Sequence, residues 1–353
     1  STVLFLYSCD SSQEEKMGIK IIKNEKLWME DHAIQHLQSL ENCEGVEDIV
    51  GLPDLHDGKV PVGMTVKTRN IIYPMFIGND IGCGMSLFDT HIKLKKYHHD
   101  HFVKKLINTK IIGDYSIGGG NHFAEFQMID KIYNREMFNQ LDIDPKHLFL
   151  LIHSGSRNLG EQIYRKYASL NGLKKHTKDF EDYMQLHQEA IDYAHINRMM
   201  IANALMDKLG IHYDNQLIIE CLHNYIEVED DAYYHHKGSV SAKHSYAIIA
   251  GSRGTYSYIV KCIPTLETLY SLSHGAGRKW PRHLCKGRLV DKYKRKELET
   301  TSLGSQVITN QKELLYEEAS EAYKDIESVI QVLLDYQCIE LIARLKPLLT
   351  YKC

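Results

Sequence analysis

A carboxylate and a thiol stand close together in the segment Gly78–Met85, which reads GNDIGCGM. Asp80 and Cys83 are three residues apart on this glycine-rich stretch, and glycine permits the positive φ angles that a tight turn needs. A hard oxygen ligand beside a soft sulfur ligand is typical of a metal site in which the cysteine acts as a thiolate. A buried structural cysteine beside a turn-forming aspartate gives the same pattern, so the segment alone leaves both interpretations open.

Four histidines elsewhere in the chain follow an apolar stretch or a run of glycines. They are His122 after Gly118–Gly120, His153 after Leu148–Ile152, His223 after Leu217–Leu222 and His274 after Leu269–Ser273. Functional residues concentrate on loops that a rigid scaffold holds in place. The repeated placement predicts that these histidines converge with Asp80 and Cys83 in one site for metal and phosphate. Successive N–H groups of the glycine run suit an anion.

The elements that hold these residues are predicted from apolar periodicity and turn signals. Strands are predicted at residues 71–77, 148–152, 217–222 and 246–249, with an edge strand at 3–7 and a terminal strand or irregular segment at 341–353. Helices are predicted at 28–40, 181–209 and 312–335, and a polar loop at 51–59. The chain shows neither a low-complexity linker nor a fixed-period repeat, which favours one domain of mixed strands and helices.

The composition limits the class of partner and the compartment. Among 353 residues, 42 basic and 46 acidic side chains give a net charge of −4, so a nucleic acid would need a local cationic patch. Arg253 and the stretch 286–296 are the candidates. The eight cysteines form no Cys-x-x-Cys pair, and no apolar run reaches the ~18 residues that span a bilayer. We therefore expect a soluble protein of the reducing cytoplasm.

The ordered set of motifs resembles the RtcB family of RNA-splicing ligases. The motifs are Gly82-Cys83-Gly84, Gly118-Gly119-Gly120-Asn121-His122, His153-Ser154-Gly155-Ser156-Arg157, His223-Asn224, Gly251-Ser252, His274-Gly275-Ala276-Gly277-Arg278 and Ala322-Tyr323-Lys324-Asp325. They run in the family's order from about residue 51 to Lys352. The resemblance implies an α+β fold, with mixed β-sheets in the core surrounded by helices, as a single RtcB-like domain over residues 1–353.

The resemblance also implies a reaction, its cofactors and the residues that carry it. The family joins an RNA 3′-phosphate or 2′,3′-cyclic phosphate to a 5′-hydroxyl, using GTP and manganese. By position, His274 is the nucleophile that accepts GMP, and Cys83 bridges two metal ions. Asp80 and His122 complete one metal site, and His153 and His223 the other. The residues expected to hold the guanine nucleotide are Asn121, Phe123, Glu125, Asn224, Ala250, Gly251, Ser252, Arg253, Ser257, Gly275, Ala276, Gly277, Tyr323 and Lys352.

Two departures from the family pattern point to a particular branch. Ala250-Gly251-Ser252-Arg253 stands where the family usually has Pro-Gly-Ser-Met, and Pro281 stands where serine is usual. These features, with a short chain, are similar to the branch described as release-factor-H-coupled. That similarity implies repair of damaged translation RNAs and a functional link to a release-factor-like protein.

Two other classes of function use some of the same residues. A dinuclear metal-dependent phosphoesterase would use the same ligands with a metal-bound hydroxide, and would need neither His274 nor GTP. A non-catalytic RNA-binding protein would be expected to lack a ligand, and all five are present. Neither a Lys-x-Asp-Gly nor a Walker-type motif occurs, which argues against a lysine-nucleophile ligase and a P-loop kinase. The thiolate, imidazole and carboxylate ligands are soft enough as a set to favour zinc or cobalt, so manganese is implied by the resemblance alone.

Overall fold

Strands and helices are interspersed along the chain, and the computed structural model describes residues 18–107, 115–168, 171–211 and 216–352. Its strands are β1 (Gly18–Ile21), β2 (Val46–His56), β3 (Val62–Arg69), β4 (Ile71–Ile72), β5 (Gly84–Lys93), β6 (Phe123–Ile132), β7 (His147–Ser154), β8 (Leu173–Lys174), β9 (Gln216–Leu222), β10 (Asn224–Glu229), β11 (Ala232–Lys237), β12 (Ser239–Ser241), β13 (Tyr246–Ile249), β14 (Ser257–Cys262), β15 (Ser271–Ser273), β16 (Gln306–Thr309) and β17 (Ile339–Lys352). Its α-helices are α1 (Asp31–Ser39), α2 (Pro74–Ile77), α3 (His99–Leu106), α4 (Arg135–Gln140), α5 (Asn158–Tyr167), α6 (Lys178–Leu209), α7 (Arg282–Leu289), α8 (Leu314–Glu317) and α9 (Ile326–Asp335). The predicted α+β class is confirmed.

Two sheets form the centre of the fold. The larger sheet has the strand order β13-β14-β17-β6-β7-β5-β9, with β16 paired to β17. Its pairs are antiparallel except β16–β17. The smaller sheet has the order β1-β2-β3-β11-β10, and there β1–β2 is the parallel pair. Both sheets are therefore mixed, as predicted.

The larger sheet is buried on both faces. Along β7, Phe149 and Leu151 pack in the apolar cluster shared with the smaller sheet, while Leu150 and Ile152 pack in the cluster that includes α3 and α6. Successive strand residues point to opposite faces, so a strand covered on both sides has to be apolar throughout. That burial explains the continuous apolar run at 148–152 and confirms the strand predicted there.

The long helix α6 covers one face of the larger sheet. It has 32 residues, begins where the Thr177 hydroxyl accepts a hydrogen bond from the Phe180 N–H, and ends at Gly210 in the left-handed conformation with φ 76°. The helix predicted at 181–209 is thus confirmed, with a slightly earlier start. Within the described residues, none of the helices combines the length and the apolar character that a bilayer crossing requires.

Two predicted elements are wrong in part. In the strand predicted at 71–77, only Ile71–Ile72 pair, and Pro74–Ile77 form a helical turn, because the fixed φ of proline suits the first helical position. The polar loop predicted at 51–59 is strand β2 as far as His56. Asp54 in this strand is fully buried, so burial in the tertiary structure overrides the turn signal.

The C-terminal part differs from the prediction in one element. The helix predicted at 312–335 is two separate helices, α8 and α9. The second begins anew because the Asp325 carboxylate accepts the N–H groups of Glu327 and Ser328 as an N-cap. The terminal strand is confirmed as β17. The edge strand predicted at 3–7 lies outside the described residues.

Candidate active site

The predicted ligands converge on one cleft of about 500 Å³. Cys83 and the four predicted histidines each lie at or next to the end of a strand. Cys83 directly precedes β5, His122 directly precedes β6, and His153 is the penultimate residue of β7. His223 lies between β9 and β10, and His274 directly follows β15. Strand β5 lies between β7 and β9 in the larger sheet, and β6 is the next strand beyond β7. Residues distant in sequence therefore become neighbours at this edge, and the five predicted metal ligands and His274 all line the cleft.

Cys83 belongs to two triads of ligand atoms. One is Asp80, Cys83 and His122, the other Cys83, His153 and His223, each within 4.8 Å. The Sγ of Cys83 lies 3.3 Å from Nε2 of His122 and from Nε2 of His153, and the Nε2 atoms of His153 and His223 are 3.1 Å apart. Ligand atoms about 2.0–2.3 Å from a tetrahedral ion lie about 3.3–3.6 Å from one another. The spacing of both triads therefore suits a small metal ion.

The protonation of the second triad favours metal binding. Burial lowers the pKa of His153 and His223 well below the usual value, so both rings are neutral at pH 7. The Nδ1 of His153 donates to the Asn121 carbonyl at 3.2 Å, which leaves the lone pair on Nε2 facing Cys83. The buried Nδ1 of His223 has no hydrogen-bond partner among the described residues. Burial raises the pKa of the Cys83 thiol, so a metal has to displace its proton.

The first triad is held by an arginine. Arg157 donates from Nη1 to Nδ1 of His122 at 3.0 Å, so Nε2 carries the ring proton and donates to Oδ2 of Asp80 at 2.8 Å. Burial raises the pKa of Asp80, but His122 and Arg157 outweigh it and hold that pKa below its usual range. A metal ion bound here would take the place of the ring proton. The thiolate, imidazole and carboxylate donors thus fit two ions that share Cys83.

Two glycines of the motifs let other segments pass very close. A Cβ at Gly155 would collide with the Asp80 carboxylate, and one at Gly120 would collide with the guanidinium of Arg282. Gly120 also has φ +65°, which favours glycine. The glycine run 118–120 therefore lies against two arginine side chains, Arg157 at Gly118 and Arg282 at Gly120.

His274 is hydrogen-bonded to the carboxylate of Asp54, which lies in strand β2 and not in the predicted loop. The Nδ1 of His274 donates to Oδ2 of Asp54 at 2.6 Å, and the backbone N–H of His274 reaches the same oxygen at 3.2 Å. This bond fixes the proton on Nδ1 and leaves an unprotonated lone pair on Nε2. Burial raises the pKa of Asp54, but the hydrogen bond and charge of His274 bring it below its usual value. The His274 ring lies 4.7 Å from the ring of the predicted metal ligand His223.

A buried lysine holds the backbone around Asp54. The Nζ of Lys324 donates to the carbonyls of Pro53 at 2.9 Å and Leu55 at 2.7 Å, on either side of the aspartate. Burial lowers the pKa of Lys324 to about 8. The Lys324 N–H donates to the carbonyl of Gly277, where a Cβ would collide with the Asp54 backbone. The carboxylate is thus positioned by contacts with the motifs at both 274–278 and 322–325.

The residues expected to hold the nucleotide form the remaining wall of the cleft. Ala250 pairs with Gly275, with the Ala276 N–H donating to the Ala250 carbonyl at 3.0 Å, so two motifs lie side by side. Thirteen of the fourteen expected nucleotide residues line the cleft. The remaining one, Ser257, is buried, and its hydroxyl accepts the Gly251 N–H at 3.2 Å. Ser257 therefore supports the turn.

Cations and two buried carboxylates, Glu125 and Glu318, lie along this wall. Tyr323 donates its hydroxyl to Glu318, and Arg278 binds both Glu318 at 3.1 Å and the Tyr323 oxygen at 2.9 Å. Burial lowers the pKa of Lys352 to about 8. Arg253 is half-buried and donates to the carbonyls of Leu314 and Leu315, so part of its guanidinium is used to hold α8. The local charge is therefore cationic although the whole chain is acidic.

Helix α6 holds the turn and the strand end that carry Cys83 and His153. The buried Arg198 donates from Nη1 to the carbonyls of Gly82 at 2.9 Å and Ser154 at 2.8 Å, each adjacent to a predicted metal ligand. Its Nη2 donates to Glu220 at 2.8 Å, which balances the charge. The turn at Gly82 and the end of β7 are thus held in fixed positions relative to each other by one side chain of α6.

Several residues in or behind the cleft were not predicted from the sequence. Those that line it are His56, Arg157, Lys237, Arg278, Arg282 and Glu318. Those that hold its residues from behind are Asp54, Lys324 and Arg198. Arg157 and Arg278 stand within the quoted motifs, so proximity to His153 and His274 was the available signal. Asp54 lies in a stretch with two acidic residues and a histidine, which is a weaker indication of a functional site and was interpreted as a turn.

The fold and the site together define an α+β protein with a cleft of paired cysteine–histidine–aspartate triads beside an aspartate-bound histidine. The sequence model of the family described as tRNA-splicing ligase RtcB matches residues 35–114 and 112–353. The chain therefore belongs to the RtcB family.

Individual relatives agree with this assignment. The chain is 39% identical over 360 residues to RNA-splicing ligase RtcB2 of Escherichia coli, covering 94% of each chain. It is 28% identical over 281 residues to tRNA-splicing ligase RtcB of Archaeoglobus fulgidus, covering 66% of this chain and 58% of that one. It is also 28% identical over 290 residues to RNA-splicing ligase RtcB homolog 1 of Entamoeba histolytica, covering 67% and 54%.

Proposed function

We propose that the protein is a GTP-dependent RNA ligase that joins RNA 3′-phosphate or 2′,3′-cyclic phosphate ends to 5′-hydroxyl ends. The observation that carries the proposal is the buried Asp54–His274 pair beside the metal-ligand triads. A phosphoesterase would need the triads but no histidine held in this way. Nucleotidyl transfer needs a nucleophile with a free lone pair at this place.

His274 is the proposed nucleophile in the first step. Its Nε2 attacks the α-phosphorus of GTP, a P–N bond forms and pyrophosphate leaves. Asp54 accepts the Nδ1–H hydrogen bond and stabilises the positive charge that the ring gains. Where the RNA end is a 2′,3′-cyclic phosphate, water first opens the ring to a 3′-phosphate and a free 2′-hydroxyl. An oxygen of the RNA 3′-phosphate then attacks the same phosphorus and the P–N bond breaks, which moves GMP to the RNA. Finally the 5′-hydroxyl attacks the activated 3′-phosphate, GMP leaves and the phosphodiester is closed.

Two Mn²⁺ ions are the proposed metal cofactors. Asp80, His122 and Cys83 would hold one ion, and Cys83, His153 and His223 the other. When bound, the ions neutralise phosphate charge and the charge of the leaving group. The donor set supports metal binding, and the choice of manganese rests on the family resemblance.

The guanine nucleotide is proposed to lie along the cationic wall. The residues that would hold it are Asn121, Phe123, Glu125, Asn224, Ala250, Gly251, Ser252, Arg253, Gly275, Ala276, Gly277, Tyr323 and Lys352, with Ser257 behind the turn. Backbone N–H groups of the glycine turns suit phosphate oxygens, and the cations along the wall suit the triphosphate charge.

RNA is proposed to approach over the exposed basic stretch 286–296, which follows Arg282 at the rim of the cleft. Arg282 donates to the Asn121 side chain at 3.1 Å, so helix α7 begins at the site itself. Lys294 and Arg295 are solvent-exposed, as a phosphate-binding surface requires. We further propose that the whole chain acts as one domain in the cytoplasm, repairs translation RNAs and works with a release-factor-like protein.

Labelled GTP tests the proposal most directly. The wild-type protein with Mn²⁺ should form an acid-labile GMP adduct, and His274→Ala should keep its metals yet form none. The variant should still seal RNA whose 3′-phosphate already carries GMP, because that step bypasses the nucleophile. His283→Ala, which changes an exposed histidine on α7, is the matched control and should behave as wild type.

A phosphoesterase would give the opposite result. It would cleave its ester with or without His274 and ignore GTP. An acid-labile GMP adduct that persists in His274→Ala would also overturn the assignment of the nucleophile.

A further inference from the structure

A second group of metal-type ligands lies far from the cleft, where β5 ends and β7 begins. Asp89 and His91 are in β5 and His147 is the first residue of β7. Asp89 is six residues along the chain from Cys83, which corresponds to about 20 Å of extended strand. The group is therefore separate from the triads of the proposed active site.

The ligand atoms of this group have the spacing of a metal site. Asp89, His91 and His147 each offer an atom within 4.8 Å of the others. The Oδ2 of Asp89 lies 2.9 Å from Nδ1 of His147 and 3.6 Å from Nδ1 of His91. Donors about 2.0–2.1 Å from a tetrahedral ion lie about 3.3 Å apart, between these two values. Asp89 and His91 are two residues apart on β5, so their side chains share one face of the strand, and the β5–β7 pairing has a bulge between Asp89 and Lys93.

A further carboxylate stands behind His147. The Nε2 of His147 lies 3.6 Å from Oδ2 of Asp144, and Lys93 binds the same oxygen at 2.7 Å. Metal-bound histidines commonly direct their other ring nitrogen to a carboxylate, which orients the ring and raises its basicity. Asp144 has the position for that role once Nδ1 of His147 faces the metal.

The charge of Asp89 also favours a cation. This carboxylate is 1% exposed, and its ion-pair partners among the described residues are His91 and His147, which carry a full charge only when protonated. Buried carboxylates are stable when paired with a cation or bound to a metal. His91 is half-exposed, so the group is open to solvent on one side.

We propose that Asp89, His91 and His147 bind a divalent transition-metal ion of the zinc type, with water completing the coordination. Two imidazoles and one carboxylate suit Zn²⁺ or Co²⁺. The ion would fasten the bulge of β5 to the start of β7. The site is independent of the proposed ligase function, and its loss should leave GMP-adduct formation unchanged.

Zinc binding to the full chain tests the proposal. Equilibrium dialysis at micromolar free Zn²⁺ should show one fewer bound ion in His91→Ala and in His147→Gln than in wild type. His101→Ala, an exposed histidine of α3, is the control and should bind as wild type. Asp144→Asn should keep the site but weaken it about 10–100-fold, as loss of an outer carboxylate does.

Cobalt distinguishes this site from the cleft. The difference spectrum of wild type minus His91→Ala should contain visible d–d bands but no thiolate-to-cobalt charge-transfer band, because the site has no sulfur ligand. His91 is half-exposed, so this variant should fold, and its unmetallated melting temperature checks that it does. Equal zinc binding by wild type and both histidine variants, or a difference spectrum with the thiolate band, would overturn the proposal.

Discussion

Replacing Asp54 with asparagine should abolish most GMP-adduct formation while leaving metals and fold in place. The Asp54 side chain is fully buried and accepts the Nδ1–H of His274 at 2.6 Å. A hydrogen bond to a charged group contributes about 1.5–3 kcal/mol, and its loss corresponds to about 10–150-fold in rate. Asparagine can also donate to Nδ1 and so move the ring proton to Nε2, the atom that attacks. In Ser-His-Asp hydrolases that exchange lowers kcat by about 10⁴-fold. We expect a loss between about 10² and 10⁴.

The assay is single-turnover formation of the acid-labile adduct from labelled GTP, with sealing of GMP-activated RNA measured in parallel. Sealing should fall far less than adduct formation, because the nucleophile has already acted in that substrate. The matched control is Asp57→Asn in the same segment, since that side chain is 35% exposed and faces His32 and His36. Its rate should stay within about twofold of wild type, as surface substitutions usually do.

Wild-type adduct formation by Asp54→Asn would refute the reasoning, because the hydrogen bond would then have no part in orienting His274. Equal loss of adduct formation and of sealing, with reduced metal content, would also refute it and would assign Asp54 to the metal sites or to folding.

Three further predictions concern metal, RNA and acid stability. Cys83→Ala should lose activity and most of its bound divalent metal, whereas Cys338→Ala should retain both, and normal metal content in Cys83→Ala would contradict the shared-ligand assignment. In the wild type, metal affinity should rise with pH because binding displaces the Cys83 proton, and the protons released during a metal titration check this. RNA affinity, measured by filter binding at several salt concentrations, should fall steeply as salt rises. Charge reversal at Lys294 and Arg295 should weaken RNA binding without changing adduct formation. An equal loss of adduct formation would mean that the stretch serves the fold. Burial lowers the pKa of His187 to about 4, below its unfolded value, so its stabilising contribution is present above pH 6.5 and is lost as the pH falls toward 4. The shift corresponds to about 3 kcal/mol, and His187→Gln should reduce the acid-dependent fall in unfolding free energy by that order, whereas an unchanged pH profile would contradict it.

The 20 histidines of this chain serve two separate purposes. Some are the proposed metal ligands and the proposed nucleophile, and these were recognisable because each follows a strand or a glycine run. Others are structural. His235 accepts the Tyr73 N–H at 2.9 Å and His187 accepts the Ile226 N–H at 3.0 Å, deep in the protein. Composition could not separate the two groups, because an imidazole satisfies a buried backbone group as readily as it binds a metal.

Local signals were sufficient for much of the scaffold. The strand at 148–152 was predictable because burial on both faces demands an unbroken apolar run, and helix α6 because its cap and its C-terminal glycine are local features. Local signals gave the wrong element in part of two segments. The polar residues, proline and glycines of 51–59 predict a turn, and the apolar run of 71–77 predicts a strand, whereas the tertiary structure decides what each segment forms.

The sequence by itself determined the chemical groups of the site, since motif order and residue type identified the five candidate ligands, His274 and the glycine turns. Only the tertiary structure decided how those groups are paired. Asp54 and His274 are 220 residues apart, and Lys324 reaches the backbone around Asp54 from 271 residues away. Such contacts leave no periodicity in the sequence, because they arise from the packing of strand ends whose positions depend on the whole sheet.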